Sequence, residues 1–344
     1  MTTTPYQQTH DLEVYRCVIC EEGPLVVQAG DNNEPRHIVC ASCDAKFPVR
    51  HNILDTMIRP SSEVLKELQG MAVESGLPVD DWESVRVRQL DSVSTFASRL
   101  RETDGQPVEY YQQTQEHFEQ ALGHLGLCNP QRVLEVGSET DFIFLQHFRD
   151  KGAKCHAINI FFHYQEPDAF LDWPEKALAD MNQLPYRDGV FDLVLFSATL
   201  HHSPDLNRTM EEVARVTSNG GTVLVLSEQI GGWLKRSDRY SHRNTLIHET
   251  YRSFPQYRSS FSRAGLQQKY LFSEHFDKKL RERKIHPQGR FARLGNLVAR
   301  LWRYRRFRMM AHGPLLYVAH TLFGFPLNAI LRKRSSSRWN ASIR

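Results

Sequence analysis

Four of the six cysteines fall in two close pairs, Cys17-x2-Cys20 and Cys40-x2-Cys43, with 19 residues between the pairs. Two such knuckles bring four thiolates to one point, the tetrahedral donor set of a Zn2+ ion, with no ligand position left over for chemistry. The expectation is a structural metal on Cys17, Cys20, Cys40 and Cys43, with His37 and His51 beside the ribbon not needed as ligands. A second constellation is His201-His202-Ser203-Pro204-Asp205, just beyond the apolar run at 191–196. Imidazoles change charge near neutral pH, so His201 or His202 at the carboxyl end of a strand is placed to take a proton from a bound ligand. Asp205 fits as the N-cap of the next helix. The remaining cysteines, Cys128 and Cys155, read as core residues.

The elements that must position these groups are legible as apolar runs. Val133-Leu134-Glu135-Val136 runs into Gly137, and Phe191-Asp192-Leu193-Val194-Leu195-Phe196 and Thr222-Val223-Leu224-Val225-Leu226 follow, separated by polar stretches of helix length. Strands this apolar belong in a sheet covered on both faces, so the fold class is α/β with a doubly wound, mostly parallel sheet. Leu25-Val26-Val27 and His37-Ile38-Val39 read as two strands of a small ribbon turning over residues 30–33. With almost no core of its own, such a ribbon takes most of its folding energy from the metal. Before the first long strand, Tyr111, Thr114, Phe118, Leu122 and Leu125 recur at three- and four-residue steps and form a helical stripe, ended by Gly126 and turned by Asn129-Pro130. The organisation expected is a ribbon at 1–58, a helical connection at 59–129, the α/β domain at 130–270 and a helical C-terminal extension at 271–344.

An apolar share of 40% and a charged share of 24% exclude a disordered chain and suit a soluble one. The first residues show neither a basic segment nor an apolar one, and cytoplasmic location is the expectation. Charge is unevenly spread. Residues 278–344 hold 17 Lys and Arg against the single acid Glu282, whereas residues 1–277 hold 26 basic and 39 acidic residues. Arg300-Leu301-Trp302-Arg303-Tyr304-Arg305-Arg306-Phe307-Arg308 interleaves cations with aromatics, and the mostly apolar run 313–331 follows, interrupted by Pro314, His320, Pro326 and Asn328. That combination points to a segment in the interface of an anionic membrane, with a packed hairpin bearing a basic face as the other reading and nucleic acid ranked third.

The order of landmarks over about a hundred residues resembles class I S-adenosylmethionine-dependent methyltransferases, in the broad type 11-like group that includes ubiquinone and small-molecule C- and O-methyltransferases. Four segments carry the likeness. They are Val133-Leu134-Glu135-Val136-Gly137, Ala179-Asp180-Met181-Asn182, the strand from Phe191 to the loop with Ser197 and His201-His202, and Glu211-Glu212-Val213-Ala214-Arg215-Val216 before Asn219-Gly220-Gly221. The ribbon, with Lys46-Phe47-Pro48-Val49-Arg50 after its second knuckle, is similar to the small zinc-ribbon domain that serves as activating partner of tRNA and protein methyltransferases. The resemblance implies S-adenosylmethionine as cofactor beside structural Zn2+, and a role for each matching residue. Glu135 would orient the first loop and Gly137 admit backbone close to the donor; Asn159 would meet the ribose, Asp180 the adenine amino group and Met181 the ring, while Ser197 would line the pocket. In this family the segment before the first strand often closes over the cofactor, which makes Tyr110 and Tyr111 further candidates.

Two positions depart from the family pattern. Its glycine-rich loop is here Glu135-Val136-Gly137-Ser138-Glu139-Thr140-Asp141, with acids at two glycine positions, and Asn159 stands where the family carries a carboxylate. A positive φ at Glu139 or Asp141 would cost about 1–2 kcal/mol each, although Asp141 near a helix start also fits as a cap. An amide grips ribose hydroxyls without charge assistance. The activity expected is methyl transfer to an unidentified small-molecule or lipid-linked acceptor, with His201 or His202 as base. A degenerate domain kept as a scaffold is the first alternative and an RNA methyltransferase the second.

Overall fold

A computed structural model of the chain describes residues 11–28, 37–90, 106–125, 129–138, 141–165, 173–231, 249–282, 292–311, 316–323 and 326–334. Residues 30–33, Gly126, Cys128 and Glu139, named above, lie outside them. The ribbon consists of β1 (Leu25–Gln28), antiparallel to β2 (His37–Cys40), with β3 (Lys46–Phe47) on the other side of β2. The chain then adds β4 (Val49–Arg50) and β5 (Ile53–Asp55), helix α1 (Ser62–Glu74), β6 (Val87–Gln89) and helix α2 (Gln106–Leu125). The α/β repeat follows as β7 (Arg132–Val136), α3 (Ile143–Arg149), β8 (Lys154–Asn159), β9 (Phe162–Tyr164), β10 (Glu175–Leu178), β11 (Phe191–Ser197), α4 (Leu206–Val216) and β12 (Thr217–Glu228). Beyond it lie α5 (Phe254–Arg263), β13 (Leu266–Leu271), α6 (Glu274–Arg281), α7 (Ala292–Leu301), α8 (Arg305–Ala311), α9 (Leu316–Phe323) and β14 (Leu327–Lys333).

The central sheet has nine strands in the order β13-β14-β12-β11-β7-β8-β10-β5-β4. From β12 through β5 every pairing is parallel, while β14 runs antiparallel to both its neighbours and β4 antiparallel to β5. The chain moves outward from β7 through β8 to β10, then returns to β11, so β7 and β11 flank the point where the order reverses and where ligands bind in open sheets.

Successive strand residues alternate between two cores. Leu134, Val136, Ile158, Val194, Phe196, Val223 and Val225 pack with α4 and α5 through Met210, Val213, Phe254 and Phe261. Val133, Ala157, Leu193, Leu195, Leu224 and Leu226 pack with α1, α2 and α3 through Leu68, Phe118 and Phe148. In α1 the residues Val64, Leu68 and Ala72 recur every fourth position and face this second core, which leaves Glu63, Glu67 and Glu74 on other faces.

Three expectations change here. The ribbon is not a body with its own minimal core: Leu25, Ile38, Cys40 and Phe47 share the core of the sheet's first face, and Arg16 and Arg187 exchange backbone hydrogen bonds of 3.0 and 2.8 Å with Pro185 and Val14. Packing against the sheet therefore holds the ribbon, and a metal on its cysteines would add to that packing rather than replace it. The 1–58 boundary is also crossed by the sheet, because β5 pairs with β10. Likewise the α/β sheet does not end at 270. The described elements of the C-terminal extension up to Phe323 are helices, but Leu327, Asn328, Ala329, Ile330 and Leu331 form a fully buried strand between β12 and β13. These last residues of the apolar run at 313–331 are thus core and not membrane interface; five consecutive buried residues behind Pro326 are what an interior strand requires. Among the described residues, no helix is long and apolar enough to cross a membrane.

Candidate functional site: a cavity at the strand ends

The four ribbon cysteines come together as two sulfur pairs, Cys17–Cys43 at 3.7 Å and Cys20–Cys40 at 3.6 Å, with all four Sγ atoms within 4.8 Å of one another. Backbone N–H groups of Ile19, Gly23 and Ser42 point at the sulfurs of Cys17, Cys20 and Cys40 from 3.3 to 3.4 Å. Such donors stabilise thiolates, so the donor set fits zinc in both ligand type and outer support. Burial pushes the Cys17 thiol up to about 12, a cost that a divalent cation offsets, and backbone donation led by Glu22 brings Cys20 down to about 6. A Cβ on Gly23 would fall 2.2 Å from the Cys40 sulfur, so glycine is needed at that turn.

At the carboxyl ends of β7, β8, β10 and β11 lies a cavity of about 540 Å³. Glu135, Gly137, Asn159, Asp180, Met181, Ser197 and His202 all line it, as do Tyr110 and Tyr111 from α2. Gly137 has φ of +71°, and a methyl group there would sit 2.0 Å from Thr199 Cγ2. Only glycine meets both demands. Its amide donates to the Ile158 carbonyl at 2.8 Å, which ties the β7 loop to β8. Asn159 strengthens the same tie. Its Nδ2 donates to the Ser138 carbonyl at 2.9 Å and its Oδ1 accepts the Ile160 amide at 2.8 Å. One N–H and one lone pair of this side chain then remain for a ligand.

Asp180 accepts the Asn182 amide at 2.8 Å and the Ser61 hydroxyl at 3.1 Å, and burial pushes its carboxyl up. Ser61 is also the N-cap of α1, so one hydroxyl fixes both the helix start and an edge of the cavity. Asp141 lines the cavity but does not cap the next helix: the N-cap of α3 is Phe142, in left-handed conformation and without a side-chain cap. Asp205 does cap α4, accepting the amides of Asn207 and Arg208. Cys155 is buried in the core, its thiol pushed up to about 12 by burial.

The two histidines divide. His201 is buried beneath the cavity wall with Nδ1 at 2.9 Å from Glu228 Oε1, whereas His202 opens onto the cavity and holds Glu67 of α1 across 3.0 Å. Burial alone would push His202 down, but Glu67, Glu249 and Glu228 outweigh it and hold the ring above its ordinary value. These three glutamates were not marked by the sequence. Glu228 follows an apolar strand at its carboxyl end, a usable signal; Glu67 and Glu249 carry none, since only the tertiary fold brings them near.

Residues 134–225 match a family model described as a methyltransferase domain. The chain is 29% identical over 125 residues to the malonyl-[acyl-carrier protein] O-methyltransferase of Halorhodospira halophila, covering 32% of this chain and 42% of that protein. It is 33% identical over 101 residues to the demethylmenaquinone methyltransferase of Mycolicibacterium vanbaalenii, covering 29% and 43%. The chain thus spans about two fifths of the length of these curated relatives. Similar solved structures include a complex between the Haloferax volcanii Trm112 methyltransferase activator and a methyltransferase (19% identity, TM-score 0.44, 66% of this chain and 92% of that one). A sarcosine dimethylglycine methyltransferase from Galdieria sulphuraria is another (16% identity, TM-score 0.42, 67% and 88%). The sheet order and the cavity at its switch point accord with the methyltransferase-domain match of residues 134–225. That domain shares its chain with a small ribbon whose four cysteines could hold one metal ion.

Proposed function

We propose that the chain transfers the methyl group of S-adenosylmethionine, held in the 540 Å³ cavity, to a small or lipid-linked acceptor that enters beside α1. The observation that supports this reading is the convergence of Glu135, Gly137, Asn159, Asp180, Met181 and Ser197, from four separate strand ends, on one cavity. S-adenosylmethionine supplies an electrophilic methyl group on a sulfonium ready to depart. The chain's task is to hold donor and acceptor in line and to exclude water. In this reading Gly137 lets backbone approach the donor, Asn159 bonds a ribose hydroxyl, the Asp180 carboxylate accepts from the adenine amino group and Met181 flanks the ring. Of the two histidines expected to do the chemistry, His202 meets the acceptor, while His201 supports it from below.

The acceptor's source is suggested by α7 and α8. Arg293, Leu297 and Arg300 lie at four- and three-residue steps on one exposed face of α7, and Arg303, Tyr304, Arg305, Arg306 and Met310 beyond it are exposed as well. Exposed cations with apolar side chains between them suit an anionic bilayer surface.

Calorimetry on the zinc-loaded chain tests the donor reading. Binding of S-adenosylmethionine and S-adenosylhomocysteine at micromolar concentration is expected, and no heat at millimolar ligand would leave the domain a scaffold. Flotation with vesicles of anionic and of neutral lipid tests the second reading: anionic vesicles should capture the chain in a salt-sensitive way, and equal capture by both would remove the role of the arginines.

A further inference from the structure

We infer that His201, His202 and Glu249 form a binding site for a divalent first-row transition-metal ion at the acceptor end of the cavity, separate from the zinc of the ribbon. Each of the three offers a ligand atom within 4.8 Å of the other two. His201 Nδ1 meets Glu228 at 2.9 Å in a hydrogen bond, which leaves its Nε2 for a further ligand, and His202 Nδ1 lies 3.0 Å from Glu67 Oε1 in an ion-pair contact that lacks hydrogen-bond geometry. A carboxylate behind each imidazole is the outer support found at metal-binding histidines, where it fixes the tautomer and the ring direction. Glu249 accepts the Tyr251 hydroxyl at 2.8 Å and Glu228 the Tyr257 hydroxyl at 3.0 Å, so both are themselves oriented.

Glu67 and Glu228 place two further carboxylates beside the pair, whose imidazole rings stand 4.4 Å apart. A cation held by the two imidazoles is thus attracted by carboxylates on more than one side. Two imidazoles and one carboxylate suit manganese, iron, cobalt or zinc better than magnesium or calcium.

His202 lines the cavity while His201 and Glu249 lie behind it, so an ion held by all three would sit at the cavity's edge, where an acceptor could reach it. Resting on the donor reading above, this makes the acceptor an oxygen nucleophile. Its hydroxyl oxygen ligates the ion and its proton passes to cavity water; the oxygen lone pair then forms the bond to the methyl carbon while the carbon–sulfur pair departs onto sulfur. His202 serves as ligand, and proton acceptance falls to water.

The test is Mn2+ binding to the full chain carrying its ribbon zinc, without any methyl donor, followed by electron paramagnetic resonance and by elemental analysis. One Mn2+ per chain beyond the zinc is expected. Glu249→Gln and His202→Gln should weaken it by about tenfold or more, and Glu67→Gln by about 10- to 100-fold, with zinc content and the melting temperature reporting that each variant is folded. A wild-type chain that takes up no Mn2+ or Co2+ at millimolar ion overturns the site and leaves His202 with Glu67 as a general-base pair. Variants that bind as tightly as wild type overturn it as well. Since no donor is present, either failure stands apart from a failure of the calorimetric test.

Discussion

One wall of the cavity is made of strand ends and the other of two helices that precede β7 in sequence. Gly137, Asn159, Asp180 and Ser197 follow or end β7, β8, β10 and β11, and their neighbours Val136, Ile158, Ala179 and Phe196 are no more than 2% exposed. α1 and α2 bring Glu63, Glu67, Tyr110 and Tyr111, and they are fastened by one apolar face and a few polar ties. Those ties include Ser61 to Asp180 at 3.1 Å, Glu67 to His202 at 3.0 Å, His117 to Ser227 and Ser273 at 2.8 and 2.6 Å, Gln120 to the Phe272 carbonyl at 2.9 Å and Glu116 to His275 at 2.8 Å. The strand wall cannot shift without disturbing both cores. The helix wall can, and acceptor preference can therefore change while donor binding is kept.

The ribbon gives the most forceful way to break this contrast. β5 leads from the ribbon into Ser61 and α1, so Cys20→Ser with Cys43→Ser should lose the metal and loosen the helix wall before the strand wall. Structural zinc contributes about 10–16 kcal/mol in isolated finger peptides; here the shared core should limit the loss to several kcal/mol. Denaturant melts give the total, and hydrogen exchange in α1 against β7 gives the order. Equal loss of protection in both would mean that the walls are one unit.

On the strand wall, Gly137→Ala forces a methyl group toward Thr199 at positive φ. Such overpacking costs about 1–3 kcal/mol, which should lower donor affinity about 10- to 100-fold by calorimetry. An unchanged affinity would show that the loop yields.

Acid should act on the helix wall. Burial holds His117 of α2 down at about 3, so between pH 6.5 and 3 the unfolded chain binds a proton that the folded one refuses. Stability then falls as pH falls through that window, by up to about 1.4 kcal/mol per pH unit from this group. Exchange protection of α2 should drop between pH 7 and 5, and His117→Gln should flatten the drop.

The smallest effect is expected from Asn159→Asp. A carboxylate bonds ribose hydroxyls more strongly than an amide but forfeits the donation to Ser138. Donor affinity should rise by no more than about fivefold, and a fall would place the ribose elsewhere.

The strand wall was legible in the sequence because apolar runs mark buried parallel strands, and because each candidate follows such a run at its carboxyl end. The cysteine pairs were legible by spacing alone. What periodicity could not give is pairing at long range. The antiparallel place of β14 depends on partners at 217–228 and 266–271, and its Asn328, which looked like a polar break, is held through Oδ1, which accepts the Ser227 amide at 2.8 Å, while its Nδ2 is buried without a hydrogen-bond partner among the described residues. Glu67 and Glu249 reach the histidines across more than a hundred and nearly fifty residues of chain respectively, and neither lies in a motif.

β14 also alters the status of the arginine-rich stretch. Because β13 enters it and β14 leaves it as adjacent rungs of one ladder, the stretch is a closed loop sewn to the sheet at both ends rather than a free arm. A surface that captures α7 and α8 would therefore pull directly on the sheet's outer rungs, and the loop, already tethered, would surrender less conformational freedom on capture than a dangling chain of equal length.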